Sequence, residues 1–291
     1  MMVYMCIEWL GDIIFYEGWQ RVIGSRGNRR GSPVLLARLE RCMFFITGET
    51  RALVLKDIRT FLRDPMQWSQ VLIFFGLLAL YFANLRSFHY HVLAERWRNT
   101  IAILNILSVS LVMCSLGSRF IYPQLSLEGQ GFWMLGPSPV SMTKVLLTKF
   151  VLSLTGMLTI SVALMLLSSN MLNAAPGARV LAVILACAIS LVVCGLSNGL
   201  GAIFLDLNQQ NPAAIVSSFG GTLNLVLSLA FTLSAILPFG FVLHLHFMHQ
   251  LSLSQLYIGL LVSGTWLTAI TTAGTVLPLW LGSKSLKKRE F

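Results

Sequence analysis

Six stretches of the chain carry almost no charge, and each is at least close to the roughly 20 residues that an α-helix needs to cross a hydrocarbon core. They run from about Trp68 to Leu85, Thr100 to Ser118, Val145 to Ser169, Ala178 to Leu205, Ala213 to Leu245 and Tyr257 to Gly282. Backbone inside lipid must satisfy its own N–H and C=O groups, so continuous apolar runs of this length fold as helices. Only 11% of the 291 residues are charged, against roughly a quarter in a soluble domain, and the mean hydropathy is +0.75. The expected fold is therefore an all-α integral membrane protein with six transmembrane helices. The fifth stretch is too long for one crossing and contains Pro238-Phe239-Gly240, which predicts a kinked or re-entrant piece after Ile236.

Lys and Arg at the ends of spans are retained on the cytoplasmic side. Of the 21 basic residues, 17 fall before the first span, in the loop between the second and third taken with the start of the third (Arg119, Lys144 and Lys149), or after the sixth; only Arg86, Arg96, Arg98 and Arg179 fall elsewhere. Both termini are thus expected in the cytoplasm. The chain divides into a cytoplasmic arm (1–67), a six-helix bundle (68–282) and a basic tail (283–291). The net charge of +10 does not point to nucleic acid, because the positives flank spans without interleaved stacking aromatics; topology and anionic lipid account for them. Cys6, Cys42, Cys114, Cys187 and Cys194 show no CxxC spacing, and none falls in an outside loop, so neither a disulfide framework nor a metal site is expected. Met1 to Leu10 lacks the basic start of a signal peptide.

Within the arm, "GSRGNRRGSP" (Gly24 to Pro33) reads as a flexible basic linker. In contrast, "RALVLKDIRTFLRDP" (Arg51 to Pro65) has helical periodicity. Val54, Ile58, Phe61 and Leu62 share one face, while Lys56, Asp57, Arg59 and Arg63 lie elsewhere, and Pro65 ends the run. An apolar face with basic flanks before a span predicts a helix lying in the membrane interface, in contact with lipid.

The loop after the second span is long and unusual for a mere connector. Leu125, Phe132 and Leu135, with Glu128 and Gln130 on other faces, predict a short amphipathic helix stopped by Gly136-Pro137, after which Ser141 caps the third span. Phe132 and Trp133 held toward the cytosol make a docking knob for a soluble partner.

Other candidates are weaker. His244, His246 and His249 are close in sequence, but His244 and His246 point apart on a helix with no carboxylate nearby, which argues against a metal. Gly195 to Gly199 is a GxxxG pattern suited to close helix packing. Asn105, Asn198 and Asn224 fit interhelical hydrogen bonding better than a substrate path. No GxxxxGK[ST] or HExxH occurs, and no span carries an acidic residue at its middle, which argues against an ATPase, a zinc-dependent membrane hydrolase and a proton-coupled carrier within this chain.

Three segments, "LVLKDIRTFLRDPMQWSQ" (Leu53 to Gln70), "LSLEGQGFWMLGPSPVSMTKVLLTKF" (Leu125 to Phe150) and "GLGAIFLDLNQQNPAAIVSSFGGTLNLVLSL" (Gly199 to Leu229), resemble the membrane subunits of type-2 ABC exporters. The resemblance implies a permease that forms the translocation path, lined by spans two and five, and couples to a separate ATP-binding subunit. It places Val54, Lys56, Asp57, Ile58, Phe61 and Arg63, with Asp64 and Pro65, in an interfacial helix. Leu125, Glu128, Gly129, Phe132, Trp133 and Leu135 would form the coupling helix, with Pro139-Val140-Ser141 as its exit, and Asp206, Asn211 and Pro212 a second cytoplasmic loop. It further implies no cofactor in this chain, ATP and Mg on the partner, a second bundle (a homodimer or another half) and an inner-membrane location. "FYEGWQRVIGSRGNRR" (Phe15 to Arg30) looks like the stretch joining the halves of longer two-bundle members, so the chain resembles a carboxy-terminal half. The competing expectation is a non-transporting membrane scaffold or orphan half-permease; a secondary carrier is a third.

Overall fold

A computed structural model describes residues 48–63, 65–87, 95–129, 141–172, 176–209, 211–248, 250 and 252–288. The helices are α1 (Gly48–Arg63), α2 (Pro65–Ser87), α3 (Glu95–Leu116), α4 (Met142–Met171), α5 (Pro176–Ile203), α6 (Pro212–Val216), α7 (Phe219–Phe247) and α8 (Leu253–Lys287). A π-turn, Gly117–Ile121, and a 3-10 turn, Tyr122–Gln124, continue α3. No strand occurs among the described residues. Five helical segments are long and apolar enough to cross a membrane: Ile103–Gly129, Met142–Met171, Pro176–Ile203, Phe219–His246 and Leu253–Lys287. In α2 the apolar stretch is shorter, Gln67–Leu80. The chain divides into two units, Met1–Arg51 and Ala52–Phe291, and of the first only residues 48–51 are described.

At the centre of the second unit lies α5, buried almost continuously from Leu185 to Ala202 and packed by α3, α4, α7 and α8. Its sequence explains the position. Lipid supplies no hydrophobic drive between helices, so close approach depends on small residues, and α5 turns Gly195 and Gly199 toward α8. A Cβ built on Gly195 would lie 2.8 Å from Thr275 Cα, and one on Gly199 would collide with the Pro278 backbone. The GxxxG pattern is thus a packing seam.

A second seam is polar. Ser153, Ser161 and Ser168 recur along α4 at seven- or eight-residue spacing and meet Asn198 of α5 (2.9 Å), Ser190 of α5 (2.8 Å) and Asn105 of α3 (2.6 Å). All are buried, so each hydroxyl finds its partner on another helix and not in water. Asn224 of α7 likewise bonds Ser118 and Ser197. The three asparagines therefore join helices, as their chemistry suggested.

Of the alternatives expected for the fifth stretch, the re-entrant piece is corrected. α7 runs without a break from Phe219 to Phe247 although Pro238 lies inside it, and no re-entrant piece forms there. Proline lacks the N–H that would bond the Ser234 carbonyl. The Trp266 indole of α8 replaces it, donating to Ser234 O at 3.2 Å and also lying 3.2 Å from Ser234 Oγ. The surplus length sits at the other end, where α6 is a separate short helix and Ser218 caps α7 by accepting from Gly221 N at 3.4 Å.

Replacing Gly199 by Ala is expected to lower the melting temperature of the detergent-solubilised chain, since overpacking costs about 1–3 kcal/mol. Gly264→Ala on α8, with nothing within 4 Å of the new methyl, should leave it unchanged. Equal melting curves for the two variants would refute the tight α5–α8 contact.

Candidate functional site

The segment expected to lie in the membrane interface is helical, as α1. Val54 and Leu55 are buried, Ile58 and Phe61 are half-buried, and Arg59 and Arg63 are exposed. One expectation shifts: Leu62 is exposed and Leu55 takes its place on the buried face. That rotation brings Asp57 against the bundle. The passage to α2 is fixed by Trp68, whose ring lies 6.1 Å from Phe61 and whose indole N–H donates to the Leu62 carbonyl at 3.3 Å. It satisfies one of the carbonyls that a helix end leaves without an intrahelical donor.

The segment expected to form a coupling helix is described only through Gly129, and that part is no amphipathic α-helix. Residues 126–129 wind as a 3-10 turn, the Glu128 amide donates to Leu125 O at 3.3 Å, and Gly129 closes the turn at φ +50°. A residue at positive φ ends α-helical winding, which glycine permits without a Cβ clash. Leu125 packs into a small core with Leu146, Ala202, Leu205 and Leu286. Phe132, Trp133 and Leu135 lie outside the described residues.

The second loop reaches the same place. The Asp206 amide donates to Ser126 Oγ at 3.2 Å, and Asp206 Oδ1 accepts from the Asn208 amide at 3.0 Å. Asn211 and Pro212 are not brought to this contact. Asn211 Oδ1 caps α6 by accepting from Ala213 N at 3.0 Å, and Pro212 takes the first helical position, where its missing N–H matters least.

Between α1 and the 125–129 segment stands a residue that sequence reasoning used only for orientation, Lys149 of α4. Its side chain is 5% exposed. Its Nζ lies 2.6 Å from Glu128 Oε1 and 3.1 Å from Asp57 Oδ2. Lys56, 44% exposed, closes the cluster from outside at 3.0 Å from Glu128 Oε1 and 3.6 Å from Asp57 Oδ1. Two positive and two negative groups thus tie α1, α4 and the 125–129 segment together with no net charge. A lone lysine inside "VLLTKFVLSL" was the available signal, because an ionisable residue among apolar ones requires a partner.

Among the described residues no group of His, Cys, Asp or Glu could hold a metal. His244 and His246 sit in the last turn of α7, and His249 lies outside the described residues. Cys114, Cys187 and Cys194 are free thiols within the helices.

The fold and this ion-paired junction define a helical chain of the membrane class. Its whole length, residues 1–291, matches a family described as "Putative ATP-binding cassette", and the chain belongs to that family. It matches no curated protein and no solved structure.

Lys149→Met should destabilise the purified chain by about 3–5 kcal/mol, because it leaves buried carboxylates without their inner counter-charge. Lys56→Met, on the exposed edge, should cost no more than about 1 kcal/mol. Thermal unfolding in detergent separates the two, and equal losses would contradict the assignment of Lys149 as the inner partner.

Proposed function

We propose that the chain is the membrane-spanning permease subunit of an ATP-driven exporter, coupled to a separate ATP-binding subunit. The observation that carries this reading is the meeting of Lys56, Asp57, Glu128 and Lys149. The two segments that the resemblance assigns to coupling, the interfacial helix and the loop after the second span, are joined there by charge to a membrane-type helix. A pull or push on the loop is then delivered to α1 and α4 together. Family membership supports the ATP link, and the five long apolar helices support a transport role over a hydrolytic one. These 291 residues contain no GxxxxGK[ST], so ATP and Mg are assigned to the partner.

In this reading α2 completes a six-helix bundle, both termini lie in the cytoplasm of an inner membrane, and a second bundle, identical or not, closes the path. Phe132, Trp133 and Leu135 are the residues that the resemblance assigns to contact with the ATPase. Lipid covers the outward Leu72, Ile73, Leu261 and Val262, all strongly exposed.

The test is capture of Mg-dependent ATPase activity by the tagged chain from a detergent extract. Truncation of an interface hot spot costs about 2 kcal/mol or more, so Phe132→Ala with Trp133→Ala should reduce retained ATPase roughly thirtyfold at normal expression. Full retention would remove the docking role, and no captured ATPase from the unaltered chain would favour the scaffold reading. Orientation has its own check. In a cysteine-free background, Asn208→Cys should react with an impermeant thiol reagent only after cells are opened, and Ser254→Cys in intact cells. The opposite pattern would invert the topology.

A further inference from the structure

The end of α3 changes helical winding several times before it reaches the ion-paired junction. The α-helix stops at Leu116, and Gly117–Ile121 form a π-turn in which the Tyr122 amide donates to the Gly117 carbonyl, five residues back. Tyr122–Gln124 tighten to 3-10, as do residues 126–129. A π-turn holds one residue more than an α-turn, is rare, and occurs disproportionately at functional sites. Here its neighbours hold it open. Gly117 lies so close to α5 that a Cβ would collide with Val193. Ser118 Oγ accepts from Asn224 Nδ2 at 3.1 Å, and the same amide donates to Ser197 Oγ at 3.1 Å, so one side chain of α7 joins the π-turn to α5. Ser118, Ser197 and Asn224 are all fully buried.

Both sides of this turn are anchored. Upstream, Cys114 Sγ lies 3.0 Å from Thr232 Oγ1 of α7. Downstream, Leu125 is packed and Glu128 is ion-paired. We propose that Asn224 is a positioning residue that keeps Gly117–Ile121 in the π form, and that this turn is the hinge about which the 125–129 segment moves relative to α3. Closing it to an ordinary α-turn would rotate everything downstream by about 100° and advance it by about 1.5 Å, the step of one α-helical residue. Because Glu128 is held by Lys149 and Lys56, the step would turn the 125–129 segment together with α1 and α4 relative to α3. Use of the hinge in coupling rests on the permease reading above, whereas the hinge itself does not, and the experiment reads the hinge alone.

Backbone amide exchange is measured by mass spectrometry on the full chain in bilayer discs of phosphatidylethanolamine and phosphatidylglycerol. Asn224→Leu removes both bonds of the latch, Ser118→Ala only the bond to the π-turn, and Ser197→Ala only the bond to α5. Asn224→Leu and Ser118→Ala should each speed exchange of amides 118–124 about threefold, with the centres of α4 and α5 unchanged; Ser197→Ala should stay within about 1.5-fold of the unaltered chain. Should Asn224→Leu fail to insert, the Ser118→Ala and Ser197→Ala pair still decides. Unchanged exchange at 118–124 in Ser118→Ala, or an increase shared equally by α4 and α5, would overturn the proposal.

Discussion

A lysine ammonium buried among apolar helices must be met by carboxylate, and this requirement organises one end of the molecule. Lys149 lies two turns into α4 and is almost wholly covered. Neither of its partners is local: Asp57 comes from α1 and Glu128 from the far end of the α3 chain. Each partner drags its own element into place. Asp57 sets which face of α1 is buried, and Glu128 brings Leu125 into the core formed with Leu146, Ala202, Leu205 and Leu286. Lys56 then covers the open side, where solvent weakens its attraction. Removing the outer cation exposes a carboxylate edge; removing the inner one strands charge in a dry site.

The rest of the bundle follows from the scarcity of other hydrogen-bond partners within a lipid-facing core. Helices that gain little from burying Leu against Leu associate through close backbone approach and through polar side chains that bond across the gap. α5 supplies both, with Gly195 and Gly199 against α8 and Ser190, Ser197 and Asn198 toward α4 and α7. The same constraint lets α7 pass through Pro238, since a tryptophan on the neighbouring helix donates to the carbonyl that proline leaves open.

What could be read from the sequence was whatever local chemistry decides. Ser141 caps α4, accepting from the Lys144 amide at 3.4 Å, as its place before an apolar run suggested. Five of the six expected span positions, the GxxxG seam and the asparagine bonds also follow from spacing and from the cost of an unpaired polar group. What escaped depends on partners distant in sequence. Periodicity gave α1 an apolar face but could not know that Asp57 would be drawn inward, so Leu62 was placed on the buried side in place of Leu55. Lys149 was visible as an oddity, yet its two acceptors lie 92 residues before it and in a different loop. The winding after Leu116 is set by Val193 and Asn224, which no local pattern reveals. That Pro238 forms no re-entrant piece was not legible, because the donor to the Ser234 carbonyl sits on another helix.

The two attachments of the segment between α3 and α4 differ in kind, and that difference says where movement would begin. At Glu128 the hold is ionic and buried, and opening it means separating charges at low dielectric, a cost of about 3–5 kcal/mol for stranding one of them. At Ser118 the hold is a neutral hydrogen bond between helices, and such bonds average only about 0.6 kcal/mol inside membranes. The π-turn between them already departs from the most stable winding. A force applied along residues 125–129 therefore meets its weakest resistance upstream, at Gly117–Ile121, while Glu128, Lys149 and Asp57 stay joined. Compliance at one end and rigidity at the other is what a transmitting segment needs: the rigid end keeps α1 and α4 moving with the loop, and the compliant end lets them do so without unpacking α3 from α5 and α7.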